Sequence, residues 1–138
     1  MHKQLKLDKK YLELADSWSQ LSVAERMKVG CIIVKDNQII SDGFNGTPSG
    51  FDNVCEDEHF KTKPEVLHAE SNALMKLALS TQSSKNATLY VTLSPCFECS
   101  KLIIQAKIKR VVYRDDYRVL SALDLLRKAN VIVERINK

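Results

Sequence analysis

The sequence predicts an α/β fold, a mixed five-stranded sheet with helices on both faces, built by residues 1–138 as a single domain. Two observations carry this expectation. From His68 onward, helix-period and strand-period segments alternate, which implies crossover connections and parallel pairing of the last three strands. Before His68, two short β-rich runs are separated only by Asp36-Asn37, a dipeptide suited to a tight hairpin. The composition, 44% hydrophobic and 28% charged with only four Gly and three Pro, fits one compact unit.

Each element follows in order. Tyr11, Leu14, Ala15, Trp18, Leu21 and Ser22 recur at helical spacing, which predicts a first helix from Asp8 to Leu21 with Trp18 in the core. Gly30 to Lys35 and Gln38 to Asp42 are the hairpin strands. Gly43 to Leu67 holds three of the four Gly and two of the three Pro, and an irregular stretch of that length in a small domain usually carries function. Then come a helix from His68 to Leu79, a strand from Thr88 to Thr92 and a helix from Cys96 to Ala106. A strand from Arg110 to Arg114, a helix from Val119 to Ala129 and a strand from Val131 to Glu134 complete the series.

Composition excludes several classes. The longest apolar stretches, such as Ala87 to Leu93, fall far short of the roughly 20 apolar residues of a membrane span. The opening MHKQLKLDKK has no apolar run behind its charges, so no signal peptide is read and a cytoplasmic location is expected. The net charge of +4 is uneven: residues 1–69 carry 9 Lys/Arg against 11 Asp/Glu, and residues 70–138 carry 12 against 6. The excess at Lys101, Lys107, Lys109, Arg110, Arg114 and Arg118 would attract an anionic ligand. It lacks the interleaved aromatics of a nucleic-acid surface. The cysteines at 31, 55, 96 and 99 read as reduced thiols.

His68-Ala69-Glu70 and, after 24 intervening residues, Pro95-Cys96-Phe97-Glu98-Cys99 form the pattern H-x-E…P-C-x-x-C, which resembles the signature of zinc deaminases. The chemistry is coherent. Pro95 sits beside a helix start, where its missing N–H costs nothing. Cys96 and Cys99, three apart in one first turn, can converge on a tetrahedral ion, and the helix N-terminus favours their thiolates. His68 and Glu70 lie about 200° apart on an ideal helix, so they share a site only at the helix mouth. His68 is then the third Zn²⁺ ligand, Glu70 the catalytic acid-base, and the fourth position stays open as in catalytic zinc sites. The plain alternative is two buried thiols and a core histidine. A structural zinc module would need a fourth ligand, for which Cys55 and His59 are available as a second metal site, although the acidic run Glu56, Asp57, Glu58 around them reads better as a solvated loop.

Beyond the zinc residues, Lys28-Val29-Gly30, Gly43-Phe44-Asn45-Gly46, His68 to Ala73, Thr92 to Cys96 and Asp116-Tyr117-Arg118 resemble the deoxycytidylate (dCMP) deaminase family of the cytidine deaminase-like three-layer fold. The resemblance implies hydrolytic deamination of dCMP to dUMP and ammonia, which supplies the thymidylate precursor. It implies that Asn45 contacts the deoxyribose, that Arg26, Tyr117 and Arg118 meet the 5′-phosphate, and that Ser94 lies among the substrate-binding residues. It also implies a homo-oligomer, often a hexamer, with dCTP plus Mg²⁺ activating and dTTP inhibiting. Phe44, Gly46, Gly50 and Asn53 are the candidate effector residues, with Gly43, Gly46 and Gly50 letting backbone approach phosphates closely. A nucleoside deaminase, a tRNA or single-stranded DNA deaminase, and a non-catalytic zinc-stabilised nucleotide sensor are the alternatives.

Overall fold

The computed structural model describes residues 2–117 and 119–137. The elements run α1 (His2–Ser19), β1 (Gly30–Lys35), β2 (Gln38–Phe44), α2 (Ala69–Ala78), β3 (Thr88–Leu93), α3 (Phe97–Gln105), β4 (Arg110–Asp115), α4 (Ser121–Lys128) and β5 (Ile132–Arg135). The sheet order is β2-β1-β3-β4-β5. β1 pairs antiparallel with both β2 and β3, whereas β3-β4 and β4-β5 are parallel. Asp36 and Asn37 both have positive φ (50° and 62°), which gives the hairpin turn the twist of its strands.

Three strands are buried on both faces, and side-chain alternation splits them into two cores. Ile32, Val34, Tyr90 and Val112 pack with Leu12 and Ala15 of α1. Cys31, Ile33, Leu89, Val91, Val111 and Tyr113 face Ala69, Ala73 and Leu77 of α2, Ile103 of α3, and Leu123 and Leu126 of α4. One helix therefore covers one face and three cover the other. Strands enclosed in this way read as continuous apolar runs, as in Cys31-Ile32-Ile33-Val34.

Close backbone approach fixes where the helices lie. A Cβ on Gly43 would meet the Ala69 carbonyl oxygen at 2.5 Å and the Ala73 nitrogen at 2.7 Å. A Cβ on Gly30 would meet the Ala15 carbonyl oxygen at 1.8 Å. Gly43 is thus required by the seating of α2 on β2 and not by an approaching phosphate, which corrects the sequence expectation for this residue. Ser41 Oγ donates to the Ala73 carbonyl at 2.7 Å and locks the same contact. The seating sets the N-terminus of α2 above the sheet end from which α3 also starts.

The first helix differs from expectation in two ways. It begins at His2, where good helix formers and a Gln4-to-Asp8 hydrogen bond of 2.9 Å carry the extra turns. Its buried line is Asp8, Leu12, Ala15 and Ser19, so Leu21 is exposed and Trp18 is only half-buried. The Trp18 indole N–H donates to Asp42 at 2.9 Å, which holds the ring at the rim of the core. Asp8 accepts from Arg110 Nη1 at 2.9 Å, Arg110 Nη2 at 2.6 Å and the Tyr90 hydroxyl at 2.6 Å. Arg110 also pairs with Glu134, and Arg114 bridges Asp16 and Asp115. These two arginines were expected to build an anion-attracting face. They are instead spent internally against acids of the first helix, of β4 and of β5.

Candidate active site

His68 is the N-cap of α2 in an extended conformation (φ −77°, ψ 160°), and Glu70 lies in the first turn. Reciprocal hydrogen bonds between Gly46 and Leu67 (3.0 and 2.8 Å) anchor the chain as it arrives at His68. Cys96 is likewise the N-cap of α3 (φ −77°, ψ 175°), with its Sγ accepting from the Cys99 amide at 3.5 Å. Both helices therefore present their first turns to one spot beyond the C-terminal ends of β3 and β4. His68 Nδ1 stands 3.4 Å from Cys96 Sγ and 3.4 Å from Cys99 Sγ. The three ligand atoms lie within 4.8 Å of one another.

The donor set fits zinc. Tetrahedral ligation with Zn–N of about 2.0 Å and Zn–S of about 2.3 Å sets nitrogen and sulfur about 3.5 Å apart, close to both separations in this cluster. Two thiolates and one imidazole are the soft-to-borderline donors that zinc selects, and three protein ligands leave a coordination position for a reactant. Electrostatics at the helix mouth point the same way. A hydrogen bond from Cys99, together with those from His68 and the Cys99 amide, pulls the Cys96 thiol down to about 4. The adjacent Cys96 sulfur and burial push Cys99 up, and the hydrogen bond to Cys96 raises His68. The helix mouth thus favours the Cys96 thiolate, and a cation held by the cluster would favour ionisation of both sulfurs.

Glu70 is 4% exposed. Burial pushes its carboxyl up to about 7, against the lowering effect of its backbone hydrogen bond and of His68. It shares a cavity of about 460 Å³ with His68, Cys96, Arg26, Asn45 and Tyr117. A larger cavity of about 810 Å³ lies at the opposite end of the sheet, where Asp8, Tyr90, Arg110 and Glu134 satisfy one another. The smaller one holds the chemistry.

The remaining predicted residues divide. Arg26, Asn45 and Tyr117 line the cavity. Asn45 also works inward, its Oδ1 accepting from the Val29 amide at 2.9 Å and its Nδ2 donating to the Met27 carbonyl at 2.8 Å. Ser94 is buried and outside the lining: its Oγ accepts from the Tyr117 amide at 2.7 Å, so it shapes the turn that carries Tyr117. Arg118 lies outside the described residues. Phe44, Gly46, Gly50 and Asn53 are also absent from the lining. Phe44 ends β2 with its carbonyl accepting from Asn72, Gly46 pairs with Leu67, Gly50 has φ 89° in the following turn, and Asn53 is exposed.

Cys55 and His59 do not assemble a second metal site. Cys55 is buried while His59 is exposed beside Glu58, and the only metal-type cluster among the described residues is His68, Cys96 and Cys99. Glu56 corrects the reading of this loop as fully solvated. It is buried, lines the cavity, and accepts from the Glu25 and Arg26 amides at 3.0 and 3.1 Å. No spacing signal could have revealed a contact across some thirty residues that include the whole β1-β2 hairpin.

Residues 5–115 match the cytidine and deoxycytidylate deaminase zinc-binding region. The chain belongs to that family. It is 47% identical to the dCMP deaminase of cyanophage S-TIM5, whose crystal structure holds dCMP and dUMP; the match covers 95% of this chain and 97% of that one, with a TM-score of 0.93. It is also similar to the probable deoxycytidylate deaminase of Caenorhabditis elegans, 35% identical across 96% of this chain and 71% of that protein. The deoxycytidylate deaminase of enterobacteria phage T4 is 32% identical across 92% of this chain and 88% of the phage protein. Membership accounts for the zinc-type donor set and for the five-stranded sheet with four helices. Among the described residues no helix is long and apolar enough to cross a membrane.

Proposed function

We propose that this family member hydrolyses dCMP to dUMP and ammonia, with the whole chain acting as one catalytic domain. The observation that carries the reading is the placement of Glu70, a buried carboxyl lining the same cavity as His68 and Cys96 of the metal-type cluster. The likeness to the S-TIM5 enzyme, which binds dCMP and dUMP, supports the choice of substrate.

His68, Cys96 and Cys99 would hold the zinc, which when bound supplies the Lewis acidity that makes a water nucleophilic at neutral pH. Glu70 takes a proton from that water as its oxygen adds to cytosine C4, and delivers the proton to N3. Glu70 then moves the remaining hydroxyl proton from the C4 oxygen to the amino group, so that ammonia departs and a carbonyl forms at C4. Asn45 keeps one amide hydrogen and one lone pair beyond its two backbone contacts, enough to meet a sugar hydroxyl. Among the described residues Arg26 makes no ion pair, whereas Arg110, Arg114, Arg127 and Arg135 all do. A guanidinium left free at a cavity mouth suits a phosphate. Tyr117 and Arg118 complete the phosphate end in this reading.

Ammonia release across dCMP, dCTP, deoxycytidine, cytosine and an RNA hairpin tests the proposal. dCMP should be the preferred substrate, and Arg26→Ala should lower kcat/KM for dCMP by roughly tenfold or more, the worth of one charge-assisted contact. Deoxycytidine, with no phosphate to lose, should be nearly unaffected. A wild-type enzyme indifferent to the phosphate would refute the substrate assignment. Activation by dCTP with Mg²⁺, inhibition by dTTP and a hexameric assembly belong to the same proposal by family resemblance. Rates with each nucleotide added, and the mass of the particle in solution, test them.

A further inference from the structure

We infer that Glu56 is a positioning residue, whose buried carboxylate holds Arg26 at the cavity mouth by clamping the backbone that carries it. The inference rests on the reading that Arg26 meets the 5′-phosphate of dCMP.

Residues 24–28 form an irregular, mostly exposed segment between α1 and β1. Among the described residues this segment makes no main-chain to main-chain hydrogen bond. Side chains tether it instead. The Ala24 amide donates to Ser22 Oγ at 3.2 Å, and Asn45 Nδ2 donates to the Met27 carbonyl. The Glu25 and Arg26 amides both donate to Glu56 Oε2, at 3.0 and 3.1 Å. Two amides on one carboxylate oxygen form charge-assisted bonds, roughly twice as strong as neutral ones.

The clamp stands on firm ground. Glu56 pairs with Thr62 across a short antiparallel turn closed by the Asp57-to-Lys61 bond of 2.7 Å and the Lys63-to-Cys55 bond of 2.8 Å. Cys55 beside it is buried. Among the described residues the Arg26 guanidinium has no ion-pair partner while its backbone is fixed, so less of its ordering is left to the moment of binding. Glu56 thereby acts on the phosphate end of the substrate, remote from the reacting carbon. Its loss should weaken binding and spare turnover.

Steady-state kinetics of the zinc-loaded enzyme decide the matter. Glu56→Ala should raise KM for dCMP by up to about tenfold, and by no more than Arg26→Ala does, because misplacing a contact costs at most what deleting it costs. kcat at saturating dCMP should stay within about twofold, and kcat/KM for deoxycytidine should stay near wild type. Glu56→Gln keeps an acceptor oxygen and should recover most of the loss. In an Arg26→Ala background, neither Glu56 substitution should add anything, because both changes remove one interaction. An unchanged KM in Glu56→Ala, additive losses in the double variant, or equal losses on dCMP and deoxycytidine would each overturn the inference. Should Glu56→Ala not fold, the smaller KM rise of Glu56→Gln and its disappearance without Arg26 decide the same question. Arg26→Ala alone reports on the underlying reading: if it leaves KM for dCMP unchanged, the phosphate assignment falls and takes the role of Glu56 with it. If it raises KM while Glu56→Ala does not, only the clamp is refuted.

Discussion

Replacing Asp8 by Asn should destabilise the protein by about 3 kcal/mol, although Asp8 lies at the end of the sheet opposite the zinc-type cluster. Asp8 is 2% exposed and accepts four side-chain hydrogen bonds, two from Arg110 and one each from Tyr90 and Gln4. Asparagine is nearly isosteric, so packing is retained. It removes the negative charge, however, and turns an amide donor toward a donor of Arg110 or Tyr90. Breaking a buried pair costs about 3 to 5 kcal/mol, and the lower end applies because Glu134 remains on Arg110. For a chain of 138 residues the Tm should fall by roughly 10 °C. Urea unfolding should show a lower midpoint with an unchanged slope. The pH dependence adds a sharper criterion. Burial pushes the Asp8 carboxyl up, but hydrogen bonds from Arg110, Tyr90 and Gln4 outweigh it and hold it below its ordinary value. A carboxyl lowered by folding contributes its full stability above its unfolded pKa, about 3.9, and loses it as pH falls through the folded value. The gap between wild type and Asp8→Asn should therefore be constant at neutral pH and close below about pH 4. A loss under about 1 kcal/mol, typical of a surface pair, would refute the reasoning, as would a gap that persists undiminished into acid.

Two further outcomes concern the site. Glu70→Ala should retain zinc and dCMP binding but lose roughly 10² to 10⁴ in kcat, as measured by single-turnover kinetics beside metal analysis. Loss of the metal together with turnover would make Glu70 a ligand or its support. Cys99→Ala should abolish stoichiometric zinc and lower the Tm, because a buried ligand and its share of the binding free energy go together. Zinc near one per chain in that variant would show that the metal sits elsewhere.

Much of this molecule is legible from local sequence, because the relevant physics is short-range. Helix and strand periods locate every element after His68 to within a few residues, and Asp36-Asn37 specifies its own turn. The zinc-type cluster is legible for a related reason: Cys96 and Cys99 share one first turn by their spacing, and His68 and Glu70 meet because His68 is the extended N-cap of the turn that holds Glu70. Tertiary structure decided what depends on partners far along the chain. Arg110 and Arg114 look like surface cations until Asp8 and Asp16, about a hundred residues away, are seen to neutralise them. The buried face of α1 follows from Gly30 admitting the backbone of Ala15 and from that same ion pair, neither of which leaves a periodic trace. Glu56 and Ser94 owe their roles to amides of Arg26 and Tyr117 that a folded chain alone brings within reach. A hydrogen bond acts over about 3 Å and carries no memory of sequence separation, so local pattern predicts the elements and the close-spaced ligands, and only the fold selects the partners.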